Sequence, residues 1–324
     1  MTESIQPSPA AMPRSPVIGI LAVLIISAGI IPALVYWAGW HEVIEAASLI
    51  GFAAVSTVLI LSLCNYLLRF IRWQRLMRVL GHTVPLWRNL RIYLSGLALT
   101  ATPGKSGELV RGVFLKPCGI PYARSFILFF WDRLSDLAGV LVLAIGAGGM
   151  LVSGYTGLLP GVLLTLVLLW VLRPGGPVIW HSLLLLRRRI PTGMRGMLLS
   201  LVRLRHADKR LTPVLALFGG AIGAMAYAAH GFGLYILAQA MNAPLGIAEA
   251  ILVVSVSSLM GAAVLIPGGA GVVEVTSVVL LSAQGVPEPE AVALGIVLRL
   301  TTFWFAIVLG TGCLLGEIRE RYHA

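Results

Sequence analysis

TATPGKSGELVR, residues 100–111, interrupts an apolar chain with a proline, two glycines, a lysine, a glutamate and an arginine. A second stretch answers it: PGGAGVVE, residues 267–274. Both read Pro-Gly-x-x-Gly followed shortly by Glu, so Pro103, Gly104, Gly107 and Glu108 have counterparts in Pro267, Gly268, Gly271 and Glu274. An arginine follows each: Arg133 lies 30 residues beyond Pro103, and Arg299 lies 32 beyond Pro267. Proline ends a helix, and glycine permits a tight turn and close backbone approach. Each motif thus breaks an apolar segment, 92–120 and 248–283, into a helical pair. Gly104-Lys105-Ser106 imitates the end of a nucleotide-binding loop. The first glycine of that loop would fall at Leu99, however, and no strand precedes it, so the motif is read as architecture.

The surrounding composition sets the solvent. Of 324 residues 58% are hydrophobic and only 11% charged, against about 25% charged in a soluble domain. Several apolar runs are long enough to cross lipid. The chain reads as an all-α polytopic membrane protein. Its net charge of +11 points to cytoplasmic loops facing an anionic leaflet, and not to nucleic acid. Cys64, Cys118 and Cys313, like the histidines, show no metal-ligand spacing. No metal and no cofactor is expected.

Charges orient the spans. A polar tail, 1–16, precedes a first span at Val17–Trp37; a loop carrying Glu42 and Glu45 leads to a second at Ala46–Phe70. Arg69, Arg72, Arg75, Arg78, Arg88 and Arg91 follow with no acid among them, which places that end in the cytoplasm. The helical spacing of the first four predicts a guanidinium face that anchors in headgroups or delivers an anionic headgroup inward. Spans at 126–152 and 157–172 complete a first half, 17–180. A basic cytoplasmic linker, 181–210, leads to a second half, 211–315, and a cytoplasmic tail, 316–324. Both termini are expected in the cytoplasm. Segment 92–120 has the cytoplasm at both ends, and 248–283 the exterior. Two inverted-topology repeats, each with a re-entrant broken pair, satisfy these constraints, with the site where the breaks meet.

Residue types at the breaks invite an anion. A half-helix opening near Ser106 would point free N–H groups into a cavity. Lys105, Arg111 and Arg133 would hold a phosphate from one half and Arg299 from the other. Glu108, Asp136 and Glu274 would keep those cations placed, with Asp132 a further partner of Arg133. Weaker polar candidates are Asn65, Arg69, Tyr93, Thr100, Thr102, Tyr227, His230, Ser255, Ser257, Ser258, Thr301 and Thr302. Three other readings stay open. One is a secondary transporter of a small solute or ion. Another is a membrane-embedded lipid-modifying enzyme using Lys105, Glu108, Arg133 and Asp136. The last is a closed set of structural ion pairs.

NYLLRFIRWQRLM at 65–77, TPGKSGELVR at 102–111, DRLSD at 132–136 and PGGAGVVE at 267–274 together resemble the lysylphosphatidylglycerol synthase transmembrane-region family. The likeness runs from about Val17 to Leu315. Asp132-Arg133 stands where the family often has Glu-Arg. The resemblance implies a flippase-like membrane domain that moves a lipid between leaflets of a bacterial inner membrane. Its partners would be lipids with anionic headgroups, with a coupling ion left open. None of these residues is left to house the synthases' soluble aminoacyl-transfer domain, so no enzyme activity is expected.

Overall fold

A computed structural model describes residues 29–153, 213–264 and 266–323. The expected first span is therefore seen only from Gly29, and the segments 157–172 and 181–210 lie outside the described residues. Helix α1 is Gly29–Ala38, and α2 is Trp40–Ser48. Glu42 and Glu45, expected in a loop, lie on α2; Gly39 at φ 91° turns the chain into it, and Glu42 sits in its first turn, where a carboxylate favours the helix dipole. Helix α3, Phe52–Val79, contains neither glycine nor proline. It starts after an extended Gly51 and is followed by Gly81 at φ 83°. The second span thus begins six residues later than the apolar run suggested.

The first broken pair comprises α4 (Leu86–Ser95), a 3-10 turn at Gly96–Leu99, a 3-10 stretch at Pro103–Val110 and α5 (Arg111–Leu115). Helix α6 is Tyr122–Ser153 and α7 is Pro213–Ala240. The second pair is α8 (Ile247–Ala263), a turn at Pro267–Gly269 and α9 (Val272–Ala283). Helices α10 (Glu288–Arg299) and α11 (Phe305–His323) join through a π turn at Leu300–Trp304. Helix α11 thus continues through residues 316–323. Among the described residues four helical stretches are long and apolar enough to cross a membrane: Phe52–Val79, Tyr122–Val152, Val214–Ala240 and Glu288–Glu320. The chain is an all-α polytopic membrane protein.

Helix α7 packs on α3 and α6, α8 on α6, α4 on α11, α5 on α6 and α9 on α10. Let α3, α4, α5 and α6 exchange with α7, α8, α9 and the α10–α11 pair. The α4–α11 contact then becomes α8–α6, and α5–α6 becomes α9–α10. The α3–α7 contact maps onto itself, as does the contact between the two Pro-Gly breaks. Ala101 and Ala270, each beside a break, form a small core with Phe303, Trp304 and Ile307.

Apolar packing in lipid depends on close approach, because the tails are as apolar as leucine. Gly219 and Gly223 on α7 and Gly139 on α6 provide it. A Cβ on Gly139 would run into the backbone of Gly223 and Ala224, and one on Gly223 would lie 2.5 Å from the carbonyl oxygen of Ser135. Gly139→Val should therefore destabilise by about 1–3 kcal/mol through overpacking, despite valine's better helix propensity. Thermal unfolding in detergent checks this. Gly312, which has open space around its Cβ direction, is the control whose substitution by alanine should not lower the midpoint and, by helix propensity, should raise it slightly.

Candidate functional site

Where α3, α5 and α6 meet, charges are packed away from solvent. Arg72 is 2% exposed and bridges two carboxylates: its Nη2 lies 2.5 Å from Asp132 Oδ1 and 2.6 Å from Asp136 Oδ1. Arg69 Nη2 donates to Asp136 Oδ2 at 2.5 Å. Arg133 reaches Asp132 at 2.7 Å, Asp136 at 3.2 Å and Glu108 at 3.4 Å. Arg111 meets Glu108 at 3.0 Å, donates Nε to Tyr93 O at 2.9 Å and stacks 4.1 Å above the Tyr93 ring. Thr100 Oγ1 donates to Glu108 Oε1 at 3.2 Å. Four arginines thus share three carboxylates. A Cβ on Gly96 would collide with the Arg111 guanidinium, so a glycine there lets it lie flat.

The second break carries a smaller counterpart. Arg299 Nε donates to Glu274 Oε1 at 2.9 Å, and Glu274 Oε2 accepts from Gly271 N at 2.8 Å. Arg299 Nη2 also donates to Gly268 O, and its guanidinium lies 3.9 Å from the Phe303 ring centre. The arginine is tied to the turn by side chain and backbone together.

Between the two sets lies a cavity of about 140 Å³. One water needs about 10–15 Å³ on such a scale, so this is room for a phosphate group with water. Residues from both halves line it: Asn65, Tyr66 and Arg69 of α3, Thr100 and Lys105 of the first break, Tyr227 and His230 of α7, Ser257 and Ser258 of α8, and Glu274 and Arg299. Asn65 Nδ2 donates to Ala226 O at 2.5 Å, leaving Oδ1 without a protein partner; Ser257 Oγ is likewise unpartnered. Tyr66 OH donates at 2.5 Å to Thr302 O, a carbonyl in the π turn, where helical hydrogen bonding is displaced.

Of the seven charged residues the sequence singles out, Lys105, Glu274 and Arg299 line this cavity. Glu108, Arg111, Arg133 and Asp136 are joined in the ion cluster beside it. Arg69 belongs to both. The expected single arginine face divides. Arg69 and Arg72 are buried among carboxylates, whereas Arg75 and Arg78 are exposed. At about 100° per residue, steps of three drift by about 60°, so the fourth arginine points opposite the first. Arg72, read from sequence as part of a face that anchors in headgroups or delivers one inward, is almost fully enclosed in the cluster. The signal that finds it is the pair Asp132 and Asp136, which needs more cation than Arg133 alone supplies. The expected half-helix at Ser106 is instead a 3-10 stretch followed by a five-residue helix. Thr102 engages two of its N–H groups, that of Lys105 through its carbonyl at 2.8 Å and that of Gly107 through Oγ1 at 2.6 Å. Among the described residues no group of His, Cys, Asp and Glu is arranged to hold a metal ion.

This is a helical membrane protein with a polar, cation-bearing cavity between two broken helix pairs. Residues 19–310 match the family described as lysylphosphatidylglycerol synthase TM region, and the chain belongs to that family. It is also similar to a UPF0104 membrane protein of Methanothermobacter thermautotrophicus strain Delta H, 24% identical over 315 residues, which cover 89% of this chain and 92% of that protein. Membership supports a flippase-like membrane-transport role. The family model that matches describes the membrane region of the synthases.

Asp132 is fully buried and serves Arg72 and Arg133. Breaking such a pair from one side leaves charge uncompensated in low dielectric. Asp132→Asn should cost about 3–5 kcal/mol, read as a lower unfolding midpoint in detergent and reduced yield of monodisperse protein.

Proposed function

We propose that this protein is a flippase or scramblase for a lipid with an anionic, phosphate-bearing headgroup. The headgroup enters the central cavity while its tails stay in the bilayer. Lys105 and Arg69 meet the phosphate from one half and Arg299 from the other, and Glu274 keeps Arg299 placed. Arg111, Arg133, Glu108, Asp132 and Asp136 fix the geometry beside the cavity and add a positive field. Within the cluster and Lys105, five cations face three carboxylates, so the surroundings favour an incoming anion.

The observation that carries this reading is Lys105. Its φ is 56° and that of its motif counterpart Gly269 is 64°, so both breaks turn left-handed at the same motif position. A left-handed backbone costs a non-glycine residue roughly 1–2 kcal/mol. Among the described residues Lys105 has no carboxylate within ion-pair distance. A strained, unpaired cation at a cavity wall is expensive in a membrane protein and is read as functional.

The same matched position, with the exchange pattern of helix contacts, supports two repeats, 17–180 and 211–315, joined by the linker 181–210. Helix α9 has 12 residues and a length of about 18 Å, too short for a core of about 30 Å. This supports re-entrant pairs at 92–120 and 248–283. The charge asymmetry supports opposed orientations with both termini in the cytoplasm, in a bacterial inner membrane. Pro103, Gly104, Gly107, Pro267, Gly268 and Gly271 form the breaks. Movement is downhill or coupled to an ion gradient.

Reconstitution in liposomes with fluorescent anionic, zwitterionic and polyprenyl-phosphate lipids tests the function. Lys105→Gly copies the second break, relieves the strained turn and removes the cation. It should unfold no earlier than wild type yet lose at least about tenfold in exchange of the phosphate-bearing substrate, the scale of one charge-assisted contact. Arg299→Ala should lose a similar factor. Unaltered exchange in Lys105→Gly would sink the assignment. Conversion of the lipid to a new species would make the protein an enzyme, and uptake of a soluble solute without lipid movement would make it a solute transporter.

A further inference from the structure

A second cavity lies away from the first. It measures about 560 Å³ and opens between α3, α4 and α7, lined by Phe70, Ile71, Gln74, Arg75, Arg78, Val79, Leu86, Val214, Leu215 and Phe218. On α3 these residues face roughly 180° away from Asn65, Tyr66 and Arg69 at about 100° per residue. The groove and the central cavity therefore use opposite sides of one helix and share no residue. Its composition is that of an amphiphile's site. Seven of the lining side chains are apolar, and the charges are two arginines at i,i+3, both exposed. Among the described residues neither arginine has a carboxylate partner.

Depth along α3 supplies an independent observation. Arg75 lies about 35 Å from Phe52 along the helix axis at 1.5 Å per residue. With the core entered at Phe52, the first residue of the span, and the helix near the membrane normal, that passes a hydrocarbon core of about 30 Å and reaches the headgroup layer. Phe70 and Ile71 lie about 27–29 Å along the same axis, still at the level of the acyl chains. The groove presents cations at phosphate depth and aromatic and aliphatic side chains at acyl depth.

We propose that this groove holds one anionic phospholipid, its phosphate between Arg75 and Arg78 and the upper part of its chains against Phe70, Leu86, Val214 and Phe218. The lipid is bound and not transported. It fills the angle between α3 and α7, the pair of helices that the exchange of the two halves maps onto itself, and steadies their packing. The inference stands apart from the transported substrate, because its residues are separate from those of the central cavity.

Native mass spectrometry of detergent-purified full-length protein tests it, with phosphatidylglycerol and phosphatidylcholine added separately. Wild type should retain one phosphatidylglycerol about tenfold more tightly than phosphatidylcholine and gain thermal stability from it. Arg75→Gln/Arg78→Gln alters only exposed side chains; its circular dichroism should match wild type while the preference disappears. Lys105→Gly, in the other cavity, should leave the preference intact. Equal retention of both lipids by wild type, or an unchanged preference in the double variant, would overturn the site. Loss of the preference in Lys105→Gly alone would assign the lipid to the central cavity and also overturn it. Inorganic phosphate at the same concentration should not displace the lipid; displacement would make the groove a free-anion site.

Discussion

Arg72 holds Asp132 and Asp136 at once, and much of the first half is arranged around that grip. It is a short contact between α3 and α6, two helices that otherwise touch little, since α7 fills most of the angle between them. Through Asp136 α6 also holds Arg69 of α3, and through its own Arg133, bonded to both carboxylates, it reaches Glu108 of the first break. Pair formation among buried charges returns at best the desolvation it costs, so this cluster is a poor source of stability and a good source of uniqueness. Apolar faces against lipid slide and rotate at little penalty. An arginine that must find two aspartates does not.

The cluster also explains why a turn as irregular as Pro103–Val110 is tolerated. Broken backbone inside a bilayer needs cover and partners. Arg111 lies flat over Tyr93 and bonds its carbonyl, Thr102 caps Gly107, and Thr100 binds Glu108. The second break is held more economically. Glu274 accepts from Gly271 and from Arg299, which in turn bonds Gly268. Three glycines at positive φ make that turn without strain. The two breaks share a left-handed residue at the third position of the motif but differ in the course that follows and in what they present: a lysine ammonium on one side, a carboxylate-held guanidinium on the other.

The order of elements was legible because lipid simplifies the code. Apolar run length and the Pro-Gly breaks located α3, α6 and both broken segments, with ends up to nine residues out. Glu274 with Arg299 was legible because each is nearly alone among apolar neighbours, so each is the other's obvious partner. The division of the α3 arginines was not. Spacing of three residues looks like one stripe, but the stripe winds around the helix, and only the position of α6 decides that Arg69 and Arg72 go inward. Helix α2 was missed because its acids resemble a loop when the preceding glycine's turn is unknown. The 3-10 course after Pro103 was missed for a related reason: Thr102 competes for N–H groups that a regular helix would leave free.

A cavity that must release what it binds cannot be lined with naked cations. Arg299 meets the cavity already bonded to Glu274 and Gly268, and Arg69 already bonded to Asp136. On the proposed function each would offer a phosphate its remaining N–H groups and a partly neutralised charge, so binding would require no stripping of water from a bare guanidinium. Lys105 differs, being unpaired and mounted on a turn that its own side chain strains. In that proposal the held arginines set a moderate attraction from both walls, and Lys105, unpaired among the described residues, adds the contact that would change most if the breaks moved relative to each other. On the proposed function, an unpaired charge on the irregular backbone and paired charges on helices would let one headgroup be gripped and then let go.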